Sequence, residues 1–191
     1  MTPAALIFDC DGTLVDTMPG HFRAWTEALD RYGLVLPEAR FYALGGVPTR
    51  DIIALLSREA GLHVDIKEVA ALKEALTEHH LASPSPIPEV VAIAAAARGR
   101  LPMAVATGSL RALADRALRA IEIRDWFSAL VAAEDVTRPK PSPDTYLLAA
   151  ELLKVDPRRC RAFEDTDLGL ESARAAGMEA IDIRLLRRGG R

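Results

Sequence analysis

The chain has 191 residues, of which 50% are hydrophobic and 27% are charged, and its formal net charge is −3. This length allows one domain, or one domain with a modest insert, and the composition is sufficient for a packed core. The small negative charge gives no reason to expect nucleic acid or an anionic membrane as a partner, although a cleft can still attract an anionic substrate. No segment approaches the ~20 apolar residues that a bilayer span requires.

Cysteine usage and the first residues bear on the cellular compartment. Cys10 and Cys160 lie far apart and have no metal-ligand spacing, which favours two reduced, buried thiols. The opening MTPAALIFD has no basic region, and its apolar run is too short for a signal peptide. We therefore expect a cytoplasmic protein. We also expect a monomer, since no long apolar face is left over.

The first predicted element is a strand over Ala4–Phe8, an apolar run that ends at acidic residues and suits a buried parallel strand. From Thr17 to about Ser83 the pattern predicts helices only, over Pro19–Tyr32, Thr49–Ala60 and Asp65–Leu81. The last of these has a start that resembles a capping box, with Asp65 three residues before Glu68. An all-helical insert therefore interrupts an α/β domain directly after its first strand.

The rest of the chain alternates strand-like runs with helix patterns. The predicted strands are Met103–Ala106, Ala129–Ala133, Arg161–Phe163 and Glu179–Ile183. The predicted helices are Pro88–Arg98, Leu110–Ala120 with Ser109 as its N-cap, Asp144–Lys154 and Asp167–Ala176. Such alternation predicts βα units around a mostly parallel sheet.

Polar side chains follow four of the predicted strands, at the edge where ligands bind in open α/β sheets. Asp9 and Asp11 follow the first strand, and Thr107-Gly108-Ser109 follow the second. Lys140 follows the third across a turn, and Glu164-Asp165 follow the fourth. Each feature alone has an ordinary explanation as a turn, cap or surface residue. Their joint occurrence at successive strand ends favours a functional site.

This set of side chains suits phosphoryl transfer with a carboxylate as the nucleophile. A carboxylate that attacks a phosphate dianion needs a divalent cation to offset the repulsion, and Mg²⁺ prefers oxygen ligands. Asp9 and Asp165 can supply such oxygens. Thr107, the amides that follow it and Lys140 can hold phosphoryl oxygens, which leaves Asp11 for general acid–base catalysis.

Four motifs resemble those of the haloacid dehalogenase (HAD) superfamily, and they occur in the family's order: DCDGT, TGS at 107–109, Lys140 and FEDTDLG. The resemblance implies a Rossmann-like three-layer α/β core of residues 1–16 and 84–191, with a small helical cap at 17–83. HFRAW at 21–25 and RPKPSPDTYLL at 138–148 are similar to the β-phosphoglucomutase group. The short chain and its ending GMEAIDIRLL are most similar to the fructose-1-phosphate phosphatase branch of that group.

The resemblance also implies roles for individual residues. Asp9 becomes an aspartyl-phosphate, and Asp11 protonates the leaving oxygen and then activates water. Mg²⁺ is held by the Asp9 carboxylate, the Asp11 carbonyl and Asp165, with Glu164 as a further candidate ligand. Phosphate contacts fall to Thr107, Gly108 and Lys140, and substrate contacts in the cap fall to His21 and Arg50. The cap closes over a small phosphorylated substrate, such as a hexose phosphate, on hinges near 16–17 and 83–86.

A phosphomutase would use the same nucleophile and is the main alternative. The mutases of this group have a lysine at the position of Gly45 and a Lys-Asn pair at Leu110-Arg111. This chain also inserts Pro48-Thr49 ahead of Arg50 where the mutases have one residue. A mutase must bind a bisphosphate, so the loss of those positive charges favours hydrolysis.

Two further functions are less consistent with the residues. A metal-free dehalogenase would have no use for Asp11 or for a metal site at Glu164-Asp165. A catalytically idle binding protein on the same fold would be expected to lose Asp9 or Lys140. The sequence therefore predicts a Mg²⁺-dependent phosphatase.

Overall fold

The computed structural model describes residues 2–81 and 84–188, the last two by their backbone alone. Its strands are β1 (Ala5–Phe8), β2 (Val15–Asp16), β3 (Ser85–Pro86), β4 (Met103–Ala106), β5 (Ala129–Val131), β6 (Cys160–Glu164) and β7 (Glu179–Asp182). Five of them form a parallel sheet in the order β5-β4-β1-β6-β7, and β2 pairs antiparallel with β3. Phe8 lies opposite both Val105 and Phe163, so the carboxyl ends of β1, β4 and β6 lie side by side.

The helices are α1 (Met18–Asp30), α2 (Glu38–Ala43), α3 (Thr49–Ala60), α4 (Ile66–His80), α5 (Pro88–Ala97), α6 (Arg111–Ala120), α7 (Asp144–Leu153), α8 (Asp167–Ala175) and α9 (Ile183–Arg188). The first four lie between β2 and β3 in the chain, and each of the others follows a strand. In the part of the chain that the structure describes, no helix is both long and apolar enough to cross a bilayer.

Helices cover the parallel sheet on both faces. Along β1, Leu6 and Phe8 face a core cluster to which α5, α6 and α9 contribute, whereas Ala5 and Ile7 face a second cluster with α7 and α8. The strands carry mostly alanine on the second face. Small side chains there let α7 and α8 pack close to the sheet. The three layers confirm the predicted Rossmann-like α/β class.

The helices α1 to α4 enclose a separate apolar core, made of Trp25, Leu29, Leu34, Leu36, Phe41, Ile52, Ile53, Leu56 and Val69. At Gly20 the start of α1 lies so close to the end of α4 that a Cβ would be 2.6 Å from Leu81 Cδ2. The chain enters this helical unit through β2 and leaves it through β3. The division into a core and a cap at 17–83 stays a prediction. Residues 82 and 83 lie outside the described residues, and Ser83 is the first residue of the hinge expected near 83–86.

The predicted elements differ from the observed ones mainly where segments are short. The helices α2 and α9 have 6 residues each and are missing from the prediction. Six residues span fewer than two helical turns, which is too short for an apolar periodicity to be recognised. The strands β2 and β3 have 2 residues each, too few for an alternating pattern. The strand predicted over Ala129–Ala133 ends at Val131, and Ala133 begins a 3₁₀ turn.

Candidate active site

Asp9 and Lys140 form a buried ion pair at the carboxyl end of β1. Lys140 Nζ donates to Asp9 Oδ1 at 2.9 Å, to the Ala106 carbonyl at 3.1 Å and to Glu164 Oε1. The Tyr146 hydroxyl donates to the same Glu164 oxygen at 3.1 Å, and its ring centroid lies 5.0 Å from Lys140 Nζ. Burial would lower the pKa of Lys140, but the Asp9 and Glu164 carboxylates raise it well above its usual value. The lysine is therefore a fixed positive charge beside Asp9.

Glu164 ends β6 and is only 1% exposed. Its Oε2 accepts hydrogen bonds from the Asp165 amide at 3.0 Å, the Thr166 amide at 3.1 Å and the Thr166 hydroxyl at 3.0 Å. A Cβ at Gly169 would lie 1.8 Å from Glu164 Oε1, so the carboxylate occupies space that the glycine leaves open. Both oxygens thus already have protein donors, and the Glu164 side chain is fixed beside Lys140.

Asp9, Glu164 and Asp165 offer carboxylate oxygens that lie within 4.8 Å of one another. Burial raises the pKa of Asp9 well above its usual value, with Lys140 opposing and the other carboxylates adding to the shift. Burial and Glu164 raise the pKa of Asp165 to about 7. Gly12 has a φ of +79°, and a Cβ there would lie 2.2 Å from Asp165 Oδ2, so the backbone comes unusually close to the cluster. Crowded oxygen donors of this kind fit a hard cation such as Mg²⁺.

Asp11 accepts hydrogen bonds from both sides of the site. Thr17 Oγ1 donates to Oδ1 at 2.6 Å, and His21 Nε2 lies 3.3 Å from the same oxygen. Ser109 Oγ donates to Oδ2 at 2.6 Å, and Thr107 Oγ1 donates at 3.4 Å. Burial alone would raise the pKa of Asp11, but the bonds from His21, Ser109 and Thr17 outweigh it and hold the pKa well below its usual value. The carboxylate is therefore ionised in this arrangement.

The other predicted site residues differ in their positions. His21 reaches Asp11 from the first turns of α1. Gly108 is exposed in the loop after β4, and apart from its two chain neighbours no residue has an atom within 4 Å of where its Cβ would be. Arg50 is exposed at the second residue of α3, and no hydrogen bond or ion pair joins it to any other residue that the structure describes. The structure thus places His21 beside the Asp11 carboxylate, whereas Arg50 contacts none of the site carboxylates.

The prediction that Ser109 caps the following helix is wrong. The N-cap residue of α6 is Leu110, and the Ser109 hydroxyl donates to Asp11 instead. The sequence places Ser109 beside Thr107 at the carboxyl end of a strand but assigns it only the capping role, so its contact with Asp11 is the part that was missed. Tyr146 was also missed, and no spacing in the sequence marks it, since it lies on the apolar face of α7.

The chain is similar to known proteins over most of its length. Residues 3–177 match the family model of haloacid dehalogenase-like hydrolases. Fructose-1-phosphate phosphatase YqaB of Escherichia coli is 44% identical over 184 residues, which cover 96% of this chain and 97% of that protein. A phosphorylated carbohydrates phosphatase of Thermotoga maritima is 31% identical over 181 residues, 93% of this chain and 83% of that one. The structure of a β-phosphoglucomutase from Clostridium difficile has a TM-score of 0.83, covers 97% of this chain and 88% of its own, and at 19% identity shows the fold alone.

Proposed function

We propose that this chain, which belongs to the haloacid dehalogenase-like hydrolase family, acts on small sugar phosphates. Hydrolysis of these phosphate monoesters proceeds through an aspartyl-phosphate. The first candidate substrate is a hexose phosphate such as fructose 1-phosphate, which the name of the Escherichia coli relative suggests. The observation that carries the proposal is the contact of 2.9 Å between Lys140 Nζ and Asp9 Oδ1 inside an acidic cluster. A carboxylate held by a lysine beside a cation site is arranged to meet a phosphate dianion.

In the first step, a carboxylate oxygen of Asp9 attacks phosphorus, and the bond from phosphorus to the sugar oxygen breaks. Asp11, which is ionised in the arrangement without substrate, must first take up a proton, and it gives this proton to that oxygen as it leaves. In the second step, Asp11 takes a proton from water, which attacks the aspartyl-phosphate, frees inorganic phosphate and restores the Asp9 carboxylate. Asp11 has the right neighbours for both roles, because Thr17 and Ser109 fix the orientation of its two oxygens.

The phosphoryl group would lie between Asp9 and the loop after β4. Lys140 supplies a positive charge, and the open space beside Gly108 leaves room for phosphoryl oxygens near its amide and near Thr107 Oγ1. Donors that are fixed before the reaction stabilise charge that develops in the transition state.

A divalent cation would be held by the Asp9 and Asp165 carboxylates and the Asp11 carbonyl. Mg²⁺ would offset the repulsion between Asp9 and the phosphate dianion. Glu164 is the fourth predicted ligand, but both of its oxygens already accept protein hydrogen bonds. We therefore assign Glu164 the task of holding Lys140.

The helical unit would act as a cap that encloses the leaving group. Its Gly45-Gly46 loop contacts the start of α8, since a Cβ at Gly46 would lie 3.3 Å from Leu168 Cβ. The pair β2–β3 joins the unit to the parallel-sheet core and is the natural hinge. His21 and Arg50 remain our candidates for contacts to the sugar.

A phosphomutase is less consistent with the site. Gly45 offers no charge for a second phosphate. Arg111, although cationic, donates to the Leu130 carbonyl at 2.9 Å and pairs with Asp135. The guanidinium is thus engaged at the edge of the sheet.

The test is phosphate release from a panel of hexose, pentose and polyol phosphates, with Mg²⁺ or with a chelator. We expect turnover of hexose phosphates that stops when the cation is removed. Asp9→Asn should lower turnover by more than about 10³-fold and leave the fold intact by circular dichroism. Asp125→Asn, an exposed acid outside the site, is the matched control. Isomerisation of β-glucose 1-phosphate that outpaces phosphate release, in the presence of a bisphosphate primer, would overturn the proposal.

A further inference from the structure

We propose that Ser109 is the positioning residue for Asp11, holding its carboxyl group in line for both proton transfers; the inference rests on the proposed function. Ser109 Oγ donates to Asp11 Oδ2 at 2.6 Å, although the two residues are 98 positions apart in the chain. A contact of this length to a carboxylate is a strong, charge-assisted hydrogen bond.

The donors around Asp11 come from two parts of the molecule. Thr17 and His21 lie at the start of the helical unit and bond Oδ1. Thr107 and Ser109 lie in the loop after β4 and bond Oδ2. When the cap moves, only the second pair stays with the parallel-sheet core. Of this pair Ser109 makes the shorter contact, 2.6 Å against 3.4 Å.

Ser109 is itself held firmly in place. Its amide donates to Thr107 Oγ1 at 3.0 Å, and its carbonyl accepts from the Ala133 amide at 3.0 Å. The helix that follows does not need the serine as a cap, because the Arg111 amide donates to the Glu134 carboxylate at 3.1 Å. The Ser109 hydroxyl is therefore free to orient Asp11.

The role can be separated from phosphate binding by the leaving group. A sugar oxygen must be protonated as it leaves, whereas p-nitrophenolate leaves without help from an acid. The ratio kcat/KM reports the steps up to transfer of the phosphoryl group to Asp9. It therefore depends on Asp11 as a proton donor for sugar phosphates but not for p-nitrophenyl phosphate. Hydrolysis of the aspartyl-phosphate needs Asp11 as a base with either substrate, so it should become slow for both.

We expect Ser109→Ala to lower kcat/KM for fructose 1-phosphate by about 100-fold, the lower end of what a positioned proton donor contributes. The value for p-nitrophenyl phosphate should stay within about threefold of wild type. A burst of p-nitrophenolate, equal to the enzyme concentration, should precede slow turnover of the variant. Ser109→Thr keeps the hydroxyl and should recover most of the activity on fructose 1-phosphate.

The control is Ser57→Ala, since the Ser57 hydroxyl donates to the Leu62 carbonyl in the helical unit, away from Asp11. Equal losses of kcat/KM on both substrates would assign Ser109 to phosphate binding or to the fold and overturn the inference, as would wild-type behaviour. Phenyl phosphate is similar in shape to p-nitrophenyl phosphate, but its phenolate is a poorer leaving group. Comparing these two aryl esters repeats the test of the proton donor without a sugar. If the wild-type enzyme hydrolysed only the aryl esters, the proposed substrate would be wrong. The role of Ser109 could then still be tested with the two aryl esters.

Discussion

At the scale of single residues, the missing side chain of Gly169 is as important to the site as the charged groups. A Cβ there would overlap the Glu164 carboxylate, with contacts of 1.8 Å to Oε1 and 2.3 Å to Oε2. The glycine lies in the first turn of α8, so its alanine variant would gain helix propensity and lose the space for the carboxylate. The second effect should dominate, because Glu164 cannot move without leaving several donors behind.

We predict that Gly169→Ala lowers the free energy of unfolding by about 1–3 kcal/mol, the usual cost of forcing atoms into a filled site. Urea denaturation followed by circular dichroism measures it. Gly108→Ala is the matched control for stability, because apart from its two chain neighbours no residue has an atom within 4 Å of its Cβ position. A Gly169 variant as stable as wild type would show that Glu164 readily adopts another position.

At the scale of elements, local sequence determines how α4 begins. Asp65 Oδ1 accepts from the Lys67 amide at 2.8 Å and from the Glu68 amide at 3.1 Å, as the predicted capping box requires. The other half of the box differs, because the Glu68 carboxylate accepts from the Tyr32 hydroxyl at 3.0 Å. A contact with the neighbouring segment has replaced the return bond to the cap residue.

We predict that Asp65→Ala destabilises the protein by about 1 kcal/mol, the typical cost of losing an N-cap side chain. Asp65→Asn keeps an acceptor oxygen and should retain most of that stability. Chemical denaturation of the two variants beside wild type gives the comparison. If both variants lost the same amount, the negative charge rather than the hydrogen bonds would be the stabilising feature.

At the scale of the whole molecule, the carboxylate cluster links pH, cation binding and stability. The folded-state pKa of Asp165 is raised to about 7, and that of Asp9 is raised in the same direction, in both cases first by burial. A raised pKa means that the folded state binds the proton more tightly than the unfolded state. The contribution of such a carboxyl group to stability is complete below its pKa in the unfolded state. It is lost as the pH rises through its pKa in the folded state.

We therefore predict that the metal-free protein becomes less stable between about pH 4 and pH 7, and that Mg²⁺ reverses this loss, because a cation binds the ionised carboxylates. Thermal unfolding with Mg²⁺ or with a chelator measures the effect. The rise in Tm on adding Mg²⁺ should be larger at about pH 8.5 than at about pH 5.5. In Asp165→Asn the difference should shrink; an equal rise at both pH values would contradict the linkage.

Much of this fold could be predicted because its signals are local. Buried parallel strands are continuous apolar runs, and β4 was predicted to the residue over Met103–Ala106. The helices of the insert follow from apolar periodicity, as α3 over Thr49–Ala60 shows. Elements shorter than two periods of their pattern, such as α2 and the pair β2–β3, leave no such signal.

Residue types and their spacing are enough to predict the α/β class, the run of helices after the first strand and the polar groups that follow the strands, namely Asp9, Thr107, Lys140 and Glu164-Asp165. Which of these groups touch, and through which atoms, follows from the folded structure alone. The order β5-β4-β1-β6-β7 brings residues distant in the chain to one edge of the sheet. Hydrogen bonds such as that from Ser109 to Asp11 form or fail with shifts of a few tenths of an ångström in the positions of such residues, and local patterns do not encode those positions.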